Sequence, residues 1–345
     1  MIFVGEGVFV GVGVGVSVKV TACATGSGRT RNNREMDKAK VTSGRLAEQP
    51  AAAAPAAHAF QPKVEKVVDN VYALIGPLGQ RSADNDGLNA NFGFIVTPKG
   101  VILIDSGASR LGAEKIAAAI AKVTDRPVRW VINTGSQDHR WLGNDYFAAK
   151  GAEVIALART AATQAEFAAQ HMEGLKRFLG DRLQGTKPLP APKALTGDSA
   201  TLELGGETLT LTYTDAHFPG DAWVWLPKRS VMFSGDLVFV DRLLGVLPWS
   251  SVKHGQLAFH SLAALKPAHI VPGHGRVCDL AQAQRETGDY YDFLAAKVGA
   301  AAREMEPMEA TLDRYADLPA FRNLENYDSL HRANMNRAFT EFESQ

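Results

Sequence analysis

Five short islands between residues 101 and 275 each set an acid or an imidazole at the end of an apolar run. Asp105 closes Val101-Ile102-Leu103-Ile104, and Asp138-His139-Arg140 follows Asn133-Thr134-Gly135-Ser136-Gln137. His217 stands in Asp215-Ala216-His217-Phe218-Pro219-Gly220-Asp221, Asp236 ends Val231-Met232-Phe233-Ser234-Gly235, and His274 sits in Ile270-Val271-Pro272-Gly273-His274-Gly275. Imidazole and carboxylate together are the donors of zinc, iron and manganese sites. With only Cys23 and Cys278 in the chain and no Cys-x-x-Cys, any transition metal here is held by these donors rather than by thiolates. Two or three imidazoles plus a carboxylate leave an open position on the metal, where water is activated for attack on a carbonyl. A lone histidine is more often structural than a ligand. Several such islands in one order are a far more specific signal.

The elements that must carry these groups can be read from apolar periodicity. Strands are expected over residues 67–75, 92–97, 101–104, 128–132 and 152–156, and in a second strand-rich half over 201–204, 208–213, 222–226, 230–233 and 270–271. Ser109 caps a helix through 113–123, Tyr146 to Lys150 makes a short helix, and residues 160–179 form a long amphipathic one. Helices are also expected over 257–265 and 282–302, with an ordered aromatic tail holding Tyr290, Tyr291, Phe293, Tyr315, Phe321 and Tyr327. Pro188, Pro190 and Pro192 mark a linker between the halves. Each half pairs strands with helices, which is the pattern of a layered domain with both faces of its sheets covered. Among the other histidines, His171 and His331 lie in helical segments as solvated residues, while His254 and His260, six apart, do not share a helix face.

The chain has 345 residues, enough to bury a substantial core. Lys plus Arg and Asp plus Glu number 37 each, so bulk charge gives no argument for nucleic acid or an anionic membrane as partner, and a small-molecule substrate is expected. No run reaches the roughly 18 to 20 uninterrupted apolar residues of a membrane span. Residues 1–60 read as a low-complexity leader. Its Ala51–Ala59 stretch ends in an Ala-x-Ala pattern like a signal-peptidase site, which points to an exported or periplasmic protein.

The islands resemble the metallo-β-lactamase superfamily in order and spacing, over about residues 64–280. The resemblance implies an α+β fold, an αββα sandwich over residues 61–280, and a helical C-terminal extension, 281–345, packed on it. Members carry Asn-Thr-His-x-His-x-Asp-His-x-x-Gly-Asn in the second island. Here Asn133-Thr134 and Gly143-Asn144 frame a loop of that length, yet Gly135 and Gln137 occupy the first two His positions. Keeping the length puts His139 at the Asp position and Arg140 at the last His. Matching Asp138-His139 to Asp-His instead needs one residue lost before it and one gained after. In either alignment the first metal site loses both loop imidazoles.

The resemblance therefore implies a metal-dependent hydrolase of an ester, thioester, lactone or amide ring, with one zinc well held and a second doubtful; iron or manganese suits the same donors. His139, His217, Asp236, His274 and Asp138 are the expected metal ligands. Asp138 has a second expected role, orienting the attacking water or passing a proton to the leaving group. Gln137 and Arg140 are expected as weak ligand or substrate contacts, and Asp105 as the support beneath the loop. Two competing readings are iron-dependent oxidation and a non-catalytic binding protein of the same fold.

Overall fold

The computed structural model describes residues 60–344. The leader expected over residues 1–60 lies outside these, Phe60 apart. The first sheet has seven strands in sequence order: β1 (Lys63–Val68), β2 (Val71–Ile75), β3 (Phe92–Thr97), β4 (Gly100–Ile104), β5 (Val128–Ile132), β6 (Glu153–Leu157) and β7 (Lys193–Leu195). Pairing is antiparallel from β1 to β4 and parallel from β4 to β7. The second sheet runs in the order β12 (His269–Val271), β11 (Val231–Phe233), β10 (Ala222–Leu226), β9 (Glu207–Tyr213), β8 (Ser199–Leu204). Only β11 and β12 are parallel there.

Strand periodicity explains why the two sheets face each other. Ile102 and Ile104 of β4 point into the core between the sheets with Val71, Ile95, Leu211, Val224 and Phe233. Val101 and Leu103 point the other way, onto Ile116, Ala119 and Ile120 of α1 (Arg110–Ala121). A strand covered on both faces reads as a continuous apolar run, which is what residues 101–104 show. Helix α1 begins at Ser109, whose hydroxyl accepts from Gly112 N at 3.0 Å. After it come α2 (Asp138–Trp141), α3 (Asn144–Ala148), α4 (Ala158–Leu179) and α5 (Val252–Ala264).

The C-terminal part holds α6 (Leu280–Ala283), α7 (Asp289–Phe293) and α8 (Gly299–Arg303), joined by π-helical turns, then α9 (Met308–Arg314) and α10 (Tyr327–Glu343). Tyr290, Leu294, Val298, Phe339 and Phe342 share one apolar cluster with Met232, Phe259 and Ile270, so these helices cover the outer face of the second sheet. Among the described residues no helix is long and apolar enough to cross a membrane.

Several local expectations are corrected. The single strand expected over 67–75 is a hairpin, because Asn70 takes a left-handed turn conformation (φ 62°) that Asn tolerates. The helix expected from Leu257 starts five residues earlier at Val252, where Ser251 accepts from His254 N at 3.1 Å. The proline linker leads into β7, which completes the first sheet. His171 and His331 are buried rather than solvated, at 8% and 2% exposure.

The fold brings the strand ends to one edge. Asp105 follows β4, residues 133–144 follow β5, Asp236 follows β11, and His274 follows β12. His217 lies in the connection between β9 and β10.

Candidate metal centre

The loop after β5 is pinned before its functional side chains are placed. Asn133 and Asn144, at its two ends, exchange amide hydrogen bonds of 3.1 and 2.8 Å. Gly143 lies against Ser106 O so closely that any Cβ there would overlap it, which fixes glycine at this end. Asp105, held in a left-handed conformation (φ 64°), accepts from Thr134 N at 2.7 Å and from Thr134 Oγ1 at 2.6 Å. The expected support beneath the loop thus has identifiable partners, and a buried carboxylate needs them.

Above this layer three donors converge. His139, Asp236 and His274 are all buried, and one ligand atom from each lies within 4.8 Å of the others. His139 Nε2 is 3.0 Å from Asp236 Oδ2, and His274 Nε2 is 3.4 Å from Asp236 Oδ1. The far nitrogens are engaged elsewhere. His274 Nδ1 donates to Asn89 O at 2.9 Å, which leaves the Nε2 lone pair facing inward. His139 Nδ1 is 3.3 Å from Asp138 Oδ1, so a proton on that nitrogen faces a carboxylate while Nε2 is free to bind.

The other expected ligands are placed differently. Asp138 is outside the three-donor group, on the Nδ1 side of His139, and pairs with Arg81. Burial pushes its pKa up, yet Arg81 and His139 outweigh burial and hold it well below the usual carboxylate range. His217 is buried beside the group without joining it; its Nδ1 donates to Gly245 O at 2.8 Å. Burial, opposed in part by Asp236, lowers its pKa to about 4, and burial together with Arg242 lowers that of His274 to about 3. Both rings are neutral at neutral pH, the form that binds a metal. Gln137 is the residue before α2, and its Oε1 is buried with no hydrogen-bond partner among the described residues.

Gly135 shows why no second set of imidazoles fits. A Cβ at 135 would stand 2.8 Å from Asp221 Oδ1 and 3.4 Å from Arg140 Cγ. The space for a side chain there is filled by the Asp221 carboxyl group, whose Oδ2 accepts from Phe218 N at 2.7 Å. Burial, with repulsion from Asp236 behind it, raises the Asp221 pKa well above the usual range. Arg140 is turned inward beneath Asp236 instead of out towards a substrate.

A family model of the metallo-beta-lactamase superfamily matches residues 85–274, just over half of the chain and a span that includes all three donors. The chain belongs to the metallo-β-lactamase superfamily. Metallo-beta-lactamase IND-1 of Chryseobacterium indologenes is 26% identical over 210 residues, covering 59% of this chain and 77% of that protein. A solved metallo-beta-lactamase from Pontibacter korlensis superposes with a TM-score of 0.54 at 21% identity, over 67% of this chain and 99% of that one. The DIM-1 metallo-beta-lactamase exposed to ceftazidime gives 0.53 at 18% identity, over 68% and 97%. At these identities the structural likeness shows the sandwich fold, and nothing about substrate.

Members of this superfamily bind metal ions, and the donor chemistry of the chain fits one of them. Two imidazole nitrogens and a carboxylate, each braced from behind, match a three-ligand site with open positions. The residues at the family's other site do not fit: Gly135 has no donor, and its side-chain space is taken. Sequence reasoning missed Arg81, Asn89 and Arg242. Arg81 reaches Asp138 across 57 positions in the chain, and Arg242 lies 3.4 Å from His274 Nδ1. Neither residue stands next to a donor in sequence, so no spacing signals it. Asp221 sat in plain view within the His217 island, but its neighbour Gly135 gave no hint of the contact.

Proposed function

We propose that the chain is a hydrolase that uses a single metal ion, held by His139, Asp236 and His274. The observation that supports this best is the inward convergence of three buried donors whose remaining polar atoms are already satisfied. When bound there, a divalent metal supplies Lewis acidity to a substrate carbonyl and lowers the pKa of the attacking water. Asp138 acts through His139: its carboxylate fixes the ring and the nitrogen that carries the proton, and Arg81 keeps that carboxylate ionised. His217, neutral and buried next to the group, offers a free Nε2 to a substrate oxygen or to a water. The substrate class is an ester, thioester, lactone or amide ring, and zinc is the metal that best suits this chemistry.

The test is a hydrolysis screen over thioesters, lactones and β-lactams with the metal-replete protein, with His139→Ala as control. Turnover that survives in the control, or metal content below about a tenth of an equivalent in protein purified without chelator, overturns the proposal. A second reading is favoured by the same donor set. Two imidazoles and one carboxylate also form the facial triad of iron oxygenases. Iron in the purified protein together with oxygen consumption selects that reading over hydrolysis.

A further inference from the structure

Arg140 has 1% of its side chain exposed, and every N–H of its guanidinium points at an oxygen. Nε donates to Asp236 Oδ2 at 3.1 Å and one Nη2 hydrogen to Asp236 Oδ1, a two-toothed grip on the carboxylate. The other Nη2 hydrogen faces Gly273 O at 3.4 Å. Nη1 donates to Asp105 Oδ2 at 3.1 Å and to Asn91 O at 2.9 Å. Five donors meet five acceptors, the full capacity of the group.

The surroundings are cut to this guest. A Cβ on Gly273 would come within 2.5 Å of Gly235 O, 2.7 Å of Asp236 Oδ1 and 2.9 Å of Arg140 Nη2, so glycine before His274 leaves room for the neighbouring backbone and for the guanidinium alike. A Cβ on Gly135 would clash with Asp221 Oδ1 at 2.8 Å and lie in ordinary contact with the Arg140 stem at 3.4 Å. The void lined by Asn91, Asp105, Arg140, Gly235 and Pro272 measures about 10 Å³, too little for another ion with its water.

We propose that Arg140 is a built-in cation that permanently neutralises Asp236 from its inner side, so that the protein folds without metal and accepts no more than one metal ion. The carboxylate between the two histidines is shared: its inner side belongs to the guanidinium and only its outer side to a metal. This rests on the assignment of His139, Asp236 and His274 as the metal-facing group, and is independent of whether hydrolysis follows.

The test uses the full chain as wild type, Arg140→Met and the double variant Arg140→Met/Asp236→Asn. Melting temperature is read with chelator and with added zinc, and zinc binding is read by titration. The wild type is expected to melt at nearly the same temperature with and without chelator and to take no more than one zinc. Without zinc, Arg140→Met is expected to melt about 10 °C lower, because it leaves Asp236 and Asp105 buried without a counter-charge. Zinc is expected to recover most of that loss and to bind at least about tenfold more tightly than to wild type, since the competing charge is gone. The double variant is expected to regain stability without zinc and to lose the zinc response.

If Arg140→Met does not fold, the double variant carries the decision: a stable double variant supports the counter-ion role towards Asp236, and an equally unfolded one means that Arg140 acts mainly by packing or by pairing with Asp105 and overturns it. Two zinc ions in the wild type, or an Arg140→Met protein as stable in chelator as the wild type, also overturns it. A wild type that behaves as expected here but hydrolyses nothing refutes the proposed activity and leaves the role of Arg140 standing.

Discussion

Replacing Asp105 separates hydrogen bonding from charge in the layer beneath the site. Its two oxygens serve three buried donors: Thr134 N, Thr134 Oγ1 and Arg140 Nη1. Asp105→Ala strands the Thr134 N–H, at a cost of about 1–3 kcal/mol, and removes a charge-assisted bond to Arg140 of about the same size. It also puts alanine at φ 64°, which adds roughly 1–2 kcal/mol. Relief of the repulsion between Asp105 and Asp236 offsets part of this, so the net loss is about 3–5 kcal/mol. Asp105→Asn tolerates the same backbone conformation and keeps one carbonyl acceptor for Thr134 N, and it is expected to lose only about 1–2 kcal/mol. Urea unfolding followed by tryptophan fluorescence resolves this difference, as the chain has five tryptophans. Equal losses in the two variants would show that charge, not the hydrogen bonds, is what matters. Losses below about 1 kcal/mol in both would refute the reasoning about stranded donors altogether.

Three more outcomes follow from single residues. His274→Ala removes one of three donors, and metal retained after gel filtration is expected to fall at least about tenfold while the fold persists; unchanged content would place the metal elsewhere. Gly93→Ala drives a Cβ into the ring of Phe233 between the sheets and is expected to cost about 1–3 kcal/mol in urea unfolding, with partial rescue by Phe233→Leu. His331 accepts from the Tyr290 hydroxyl and donates to Tyr315 O, both at 2.8 Å, and burial lowers its pKa below 6.5. The unfolded chain then binds the extra proton first, so this contribution is complete above about pH 6.5 and is lost as pH falls towards the folded-state value. The fall in melting temperature between pH 7 and 5 should be shallower in His331→Gln, and an identical slope would remove His331 as a cause.

The chain order of strands and helices was largely legible because burial on a strand or helix face leaves a local period. Strand β4 and the cap at Ser109 needed nothing beyond neighbouring residues. The hairpin at Asn70 and strand β7 were missed. The first depends on one residue's backbone conformation, and the second is a three-residue strand that exists only because β6 offers an edge.

By itself the sequence determined which donors are present and that each lies at the end of an apolar run, since residue type and periodicity are local properties. It could not decide which donors share a centre. Asp138 and His139 are adjacent, yet Arg81 pairs with the carboxylate while the imidazole reaches Asp236. Arg140 read as a weak ligand or substrate contact and lies beneath the site, because Asp236, Asp105 and the backbone of Asn91 and Gly273 meet around it only once both sheets have closed. Pairing of buried charges is settled by long-range contacts whose energies depend on the finished interior, and no short window of sequence carries that information.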